Sequence, residues 1–149
     1  MADGTLAGNE PLVAAAPEFF VRDLEASLRF YGDGLGFQVL RLEPDFAVAA
    51  LGGAHLLLAL PEAAPGSDAA SHLGPWLASG PRGVGVNVRI MVDDVDAMYQ
   101  RARELGATVV WDIDDRYYGL RDFIIADPDG FLLRFAAPSG AARKKKGTP

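Results

Sequence analysis

Cysteine is absent from this chain. That excludes disulfides and every thiolate metal site. Histidine occurs only at His55 and His72, so one chain cannot assemble a multi-histidine metal centre. Basic residues are outnumbered, 14 Lys and Arg against 20 Asp and Glu, for a net charge of −6. Such a balance argues against general nucleic-acid binding, which needs a basic face to displace counterions. It favours solubility and would also suit a cationic small molecule. Long apolar runs are missing as well: no stretch reaches the roughly 18 apolar residues of a membrane span. Residues 1–11, MADGTLAGNEP, hold neither the basic nor the apolar segment of a secretory signal. The expectation is a cytoplasmic protein with no nucleic-acid partner and no membrane partner.

What is present is ordinary globular material. The chain has 149 residues, 50% hydrophobic and 23% charged, enough for one domain or two half-size modules sharing a core. Residues 12–21 read as a strand, although Pro17 lies inside it and removes a ladder donor, which predicts an edge strand. Asp23 is an N-cap for a helix through Tyr31, with Leu24, Leu28 and Tyr31 at helical spacing. Gly32, Gly34 and Gly36 end it. Short apolar strands follow over residues 37–42, 46–51 and 55–60, separated by Glu43-Pro44-Asp45 and Gly52-Gly53.

The pattern then restarts. Residues 84–92 read as a strand, and Asp94 caps a helix carrying Val95, Met98, Tyr99, Ala102 and Leu105. Gly106 ends this helix, and strands follow over residues 108–111, 120–126 and 131–136. Asp127-Pro128-Asp129-Gly130 is a strong turn signal that needs no functional explanation. Val21-Arg22-Asp23-Leu24 answers Val92-Asp93-Asp94-Val95, and Leu35-Gly36 answers Leu105-Gly106. One βαβββ unit repeated twice predicts an α+β fold of two tandem modules, with curved mixed sheets around a cleft. The division is a mobile N-terminus (1–11), a first module (12–60), a linker (61–83), a second module (84–138) and a basic tail (139–149). Leu73, Trp76 and Leu77 predict one buried helical turn in the linker, and Arg143, Lys144, Lys145 and Lys146 make the tail a solvated end.

FFVRDLEASLRFYGDGLGFQVL, then VRIMVDDVDAMYQRARELGA and DPDGFLLRF, resembles the vicinal oxygen chelate superfamily of glyoxalases, bleomycin-resistance proteins and extradiol dioxygenases. The resemblance spans about residues 12–138. In metal-dependent members it implies ligands seven residues before each capping Asp and four after each turn Gly. Those positions here are Ala16, Asn87, Leu57 and Arg134. Ala and Leu cannot ligate, Arg is a permanent cation, and Asn is a poor ligand for Zn²⁺ or Fe²⁺. The expectation is therefore no metal and no cofactor.

Several stretches are most similar to the bleomycin-resistance branch. There the proline at Pro17 implies a homodimer swapped through the first strand. EPDFA places Phe46, and RYYGLRDFIIADPDG places Tyr118, where that branch carries ligand-stacking aromatics. Two aromatics on opposed walls would sandwich a flat ligand, each stack worth about 0.5–1.5 kcal/mol beyond burial. Phe46 fits a core position equally well. Trp111 would line the pocket or pack against the linker or a dimer surface. His55, two residues before Leu57, has the parity to face the cleft, or is an edge histidine with a hydrogen-bond partner. Arg134, mid-strand on a face usually turned inward, needs Glu18, another carboxylate or an anionic ligand. Asp112, Asp114 and Asp115 read as exposed loop charges.

Three functions follow. The first is a binding protein that sequesters a flat aromatic small molecule, such as an antibiotic, with cationic character admitted by the acidic balance. The second is a metal-independent lyase or isomerase drawing on His55, Tyr118, Asn87 and Arg134, with His55 moving a proton and Asn87 and Arg134 stabilising an oxyanion. The third is a domain whose cleft is filled by Leu56, Leu57 and Leu58 and which contacts only other proteins.

Overall fold

The computed structural model describes residues 10–60 and 82–140. The expected helical turn in the linker and the basic tail residues lie outside that range, as do His72 and Trp76. The first module runs β1 (Glu18–Phe20), α1 (Leu24–Leu28), a π-helical turn (Arg29–Gly34), β2 (Gln38–Glu43), β3 (Phe46–Leu51) and β4 (Ala54–Ala59). The second runs β5 (Asn87–Met91), α2 (Val95–Leu105), β6 (Thr108–Asp115), β7 (Leu120–Ala126) and β8 (Leu132–Pro138). Each module makes one four-stranded sheet, ordered β1-β4-β3-β2 and β5-β8-β7-β6. In both, the first strand pairs parallel with the last and the remaining pairs are antiparallel. This is the α+β architecture of two βαβββ modules expected from the repeat. No described helix is long and apolar enough to cross a membrane.

The first strand is much shorter than expected. It begins only at Glu18, because Pro17 has no N–H to donate. The Pro17 carbonyl still accepts from Leu57 N at 2.9 Å, and β1 lies at the sheet edge as a proline-bounded strand should. Upstream, residues 10–16 run over the outer face of the first sheet, against Val48, His55 and Leu57.

Both helices start where the sequence caps them. The Asp23 and Asp94 carboxylates accept from Ala26 N and Ala97 N, each at 3.0 Å, a cap worth about 1 kcal/mol. α1 does not continue as an α-helix to Tyr31. It widens into the π turn, where Leu35 N donates to Phe30 O at 3.0 Å. Arg101 of α2 closes that turn by donating to the carbonyls of Gly34 and Asp33, at 3.0 and 3.3 Å. Gly106 ends α2 in the left-handed conformation, φ 79°, which glycine adopts without Cβ strain.

One core joins the modules. Phe19, Tyr31, Leu35, Leu56 and Leu58 from the first pack in the same cluster as Ile90, Phe123, Leu133 and Phe135 from the second. Each such burial contributes roughly 1.5–3 kcal/mol. Phe19 stacks on Phe131 at 4.3 Å between ring centres. The turn 127–130 does more than reverse the chain. Buried Asp127 accepts from Asp129 N, Phe131 N and the Tyr31 hydroxyl at 2.9, 2.8 and 2.7 Å. Asp129 accepts from the backbone and guanidinium of Arg22, both at 3.0 Å. The matching turn of the first module, Gly52-Gly53, has no such carboxylates and lies open.

β6 is longer than expected, reaching Asp115 rather than ending at Trp111. Asp112, Asp114 and Asp115 are thus strand residues, not loop charges. Asp112 accepts from the Tyr99 hydroxyl at 3.0 Å, and Asp115 from Arg121 at 3.3 Å. The strand survives its charge because β6 carries two register shifts against β7, between Val109 and Trp111 and between Trp111 and Asp114. These bulges re-aim side chains that strict alternation would turn the other way.

Candidate ligand-binding face

Strand register builds the site. Trp111 opposes Ile124 on β7, Ile124 opposes Arg134 on β8, and Arg134 opposes Arg89 on β5. Opposed residues share a face, so these four form one row across the second sheet. The neighbours in sequence, Ile90, Phe123, Ile125, Leu133 and Phe135, point the other way into the core. Trp111 reaches the open face only through the first bulge. In unbroken alternation it would follow Val109, which packs against the core.

A fully buried carboxylate, Asp122, organises this face. One of its oxygens accepts from Arg116 Nε at 2.7 Å. The other accepts from Arg134 Nε and Nη2 at 2.9 and 2.6 Å, and from the Tyr118 hydroxyl at 2.9 Å. Arg134 Nη2 also contacts the Tyr118 hydroxyl. Burial alone would push the Asp122 carboxyl up, but the hydrogen bonds from Arg116, Arg134 and Tyr118 outweigh it and hold its pKa below the usual range. Burial, with the Asp122 hydrogen bond, raises the Tyr118 hydroxyl, so it stays a protonated donor near neutrality.

The aromatics complete the network. The Arg116 guanidinium lies 3.6 Å from the centre of the Trp111 ring. Such a cation–π contact is worth about 0.5–2 kcal/mol. Arg134 approaches Trp111 and Tyr118 at 5.9 and 5.3 Å. Trp111 remains 42% exposed. Tyr117 and Tyr118 occupy the turn between β6 and β7, where Arg116 N donates to Leu120 O at 2.7 Å. Tyr117 is 94% exposed, while Tyr118 is half-buried against Asp122.

Three of the six candidate residues, Trp111, Tyr118 and Arg134, are therefore brought together, with Arg134 approaching both aromatics. Asn87 is exposed on the edge strand β5, one row along from Arg89 on the same face. Phe46 and His55 belong to the first sheet. Phe46 lies under the Arg41 guanidinium at 5.8 Å, and Arg41 is itself paired with Glu43 and Glu10 at 2.7 and 3.2 Å. His55 lines a cavity of about 240 Å³ between residues 10–16 and the first sheet, with Val48, Leu57 and Glu10. Arg134 is paired with Asp122, not with Glu18. Leu56 and Leu58 are core residues, and only Leu57 faces outward.

Asp122, Arg116 and Arg89 were not singled out from the sequence. The signal for Asp122 was an acidic residue at mid-strand in LRDFIIA, one row from Arg134 on the adjacent strand. A divalent ion does not fit the residues present. Ala16 and Leu57 offer no donor atom, and Arg134 puts a cation at the fourth position. Among the described residues no three His, Cys, Asp or Glu side chains gather in a way that could hold a metal.

Comparison with known proteins adds relatives. The model of the Glyoxalase/Bleomycin resistance protein/Dioxygenase superfamily matches residues 13–135. A bleomycin resistance protein of Geobacillus stearothermophilus is 30% identical over 129 residues, 83% of this chain and 96% of that protein. An uncharacterized protein of Mycobacterium tuberculosis is 46% identical over 56 residues, which cover 38% of this chain and only 33% of that relative's length. Among solved structures, a family enzyme of Burkholderia phytofirmans aligns with a TM-score of 0.67 at 22% identity, covering 83% of this chain and 97% of its own.

Proposed function

The chain belongs to the glyoxalase/bleomycin resistance protein/dioxygenase superfamily, and from that premise we propose that it sequesters a flat aromatic small molecule without a metal. The observation that carries this reading is the Trp111–Arg116–Asp122–Arg134–Tyr118 network on the open face of the second sheet. It occupies a position where the family resemblance implies a metal ligand, and it presents aromatic surface fixed by ion pairs. Held side chains lose little entropy on binding, which favours affinity over adaptability.

The face is one wall of a site. The cavity beside His55 measures about 240 Å³, below the roughly 300–1,000 Å³ of small-molecule sites. We propose that a second copy of the chain supplies the opposite wall, in a homodimer with two equivalent clefts. Phe46, His55 and Asn87 then contribute as walls or rim. A metal-independent lyase or isomerase needs His55 and Arg134 at one site. Within one chain His55 lines the first-sheet cavity and Arg134 is not among its walls, so that alternative would need the dimer cleft to bring them together.

A thermal-shift titration tests the reading, with a panel of divalent metals beside a panel of aromatic antibiotics. A native-state binder at a hundred-fold excess over Kd stabilises by about 2.7 kcal/mol. Stabilisation by an aromatic compound and not by metals is the expected result. Stabilisation by a metal alone would overturn it.

A further inference from the structure

The sign of charge on the open face is opposite to that of the whole chain. Three guanidiniums lie in or beside the row: Arg89, Arg134 and Arg116. One carboxylate, Asp122, compensates both Arg116 and Arg134 through its two oxygens. It is fully buried and already accepts from three side chains, so it has no remaining capacity for Arg89. Arg89 is exposed, and among the described residues it has no hydrogen-bond or ion-pair partner.

Arg89 and Arg134 are nevertheless directly opposed on adjacent parallel strands, whose backbones are about 4.8 Å apart. Like charges opposed in a sheet destabilise it. Nothing in the packing requires a cation at Arg89, because its side chain points away from the core formed by Val88 and Ile90. Arg89, uncompensated beside the Asp122-paired Arg134 and close to exposed aromatic surface, is a charge that a bound anion would relieve. A carboxylate matches the Arg89 fork and can also accept from Arg134 Nη1, the one nitrogen that Asp122 and Tyr118 leave free.

The rest of the row sets the size and shape of what the anion is attached to. In the row between Arg134 and Trp111 lies Ile124, a half-buried apolar floor, while one face of the Trp111 ring is covered by Arg116. The Arg134 guanidinium is 5.9 Å from the centre of the Trp111 ring. An aromatic ring attached to an anion held at Arg89 and Arg134 would therefore lie against the exposed edge of Trp111. We propose that the second-sheet face is a receptor for an aromatic carboxylate, with Arg89 and Arg134 as its anion-recognition pair. This inference rests on the reading of that face as a small-molecule site, and it assigns the ligand's charge: anionic, against the cationic character that the composition admitted.

The experiment is isothermal titration of the full chain with three compounds of one shape: 2-naphthoate, the neutral 2-naphthamide and cationic 2-naphthylmethylamine. Naphthoate is expected to bind about tenfold more tightly than the amide, a difference on the scale of one charge-assisted hydrogen-bonded contact, and the amine most weakly. Arg89→Gln is expected to bring naphthoate down to the affinity of the amide and to leave the amide unchanged. Naphthyl phosphate serves as the second oxyanion. If it binds and naphthoate does not, the carboxylate assignment is overturned. Equal affinities for acid and amide, or a preference for the amine, overturn the anion pair while leaving the aromatic site standing. Absence of saturable binding by every compound overturns both.

Discussion

At the scale of single residues, Asp122 is the group on which the site depends. It is the shared counter-ion of two guanidiniums that are themselves only 11% and 20% exposed. Replacing it leaves both cations partly buried and unpaired, so Asp122→Asn is expected to cost about 3 kcal/mol, measured as a lower urea midpoint at pH 7. Its pH dependence has a definite sign. The Asp122 pKa is depressed on folding, so its contribution is complete above the ordinary carboxylate value and is lost as pH falls through the depressed one. Asp127 acts oppositely. Burial raises its pKa, against hydrogen bonds from Tyr31, Phe131 and Asp129. Its contribution is complete below the ordinary value and is lost as pH rises through the raised one. Between pH 6 and pH 3, Asp122→Asn is therefore expected to flatten the loss of stability on acidification, and Asp127→Asn to steepen it. Urea midpoints measured across that range check both signs.

The sequence made Arg134 conspicuous and left Asp122 in plain view but unread. An arginine mid-strand demands a partner, and that demand is legible one residue at a time. Which carboxylate answers it depends on how β7 and β8 align. Ile124 opposes Arg134, which brings Asp122 one row away on the same face. Register of this kind is set by the whole sheet and not by either strand.

At the scale of elements, strand cores, helix caps and turns were readable because each rests on local chemistry. Residues 46–51 and 120–126 are strands with the bounds that their apolar runs suggest, and both helices begin after the aspartates that cap them. Departures occur where local rules meet a neighbour. β6 outlasts its apolar run because its bulges place Asp112 and Asp115 beside Tyr99 and Arg121. The π turn replaces the end of α1 where Tyr31 is drawn down to Asp127. Gly83, entering β5, shows how tightly the second module is closed. Its φ is +78°, and a Cβ there would lie 2.5 Å from Gly130 O. Gly83→Ala combines that backbone clash with left-handed strain and is expected to cost about 1–3 kcal/mol, read from chemical denaturation.

At the scale of the molecule, the modules share one core and turn a sheet face outward on each side. Phe19 on Phe131, Tyr31 on Asp127 and Arg22 on Asp129 tie the helical side of the first module to the turn of the second. The outer faces behave differently. Residues 10–16 cover part of the first, whereas the second leaves Trp111 and Met91 at 42% and 49% exposure. Sedimentation equilibrium is expected to give a homodimer, and the doubly charged variant Met91→Glu/Trp111→Glu a monomer with the fold retained. A monomeric parent protein would remove the partner wall from the proposed cleft. The proposed pairing was legible only through the family resemblance at Pro17 and not through any local rule; within one chain β1 pairs with its own β4.

The open Gly52-Gly53 turn has a practical corollary. Its counterpart, the turn at 127–130, is welded to the opposite module by Tyr31 and Arg22, whereas a side chain added at Gly52 or Gly53 would meet nothing within 4 Å. One hairpin tip of the duplicated pair is thus free to be rebuilt. A fluorescent reporter or a peptide tag grafted between residues 52 and 53 would ride on the first sheet without entering the joint between modules. That would turn the protein into a reporter chassis whose second-sheet face is left as it is.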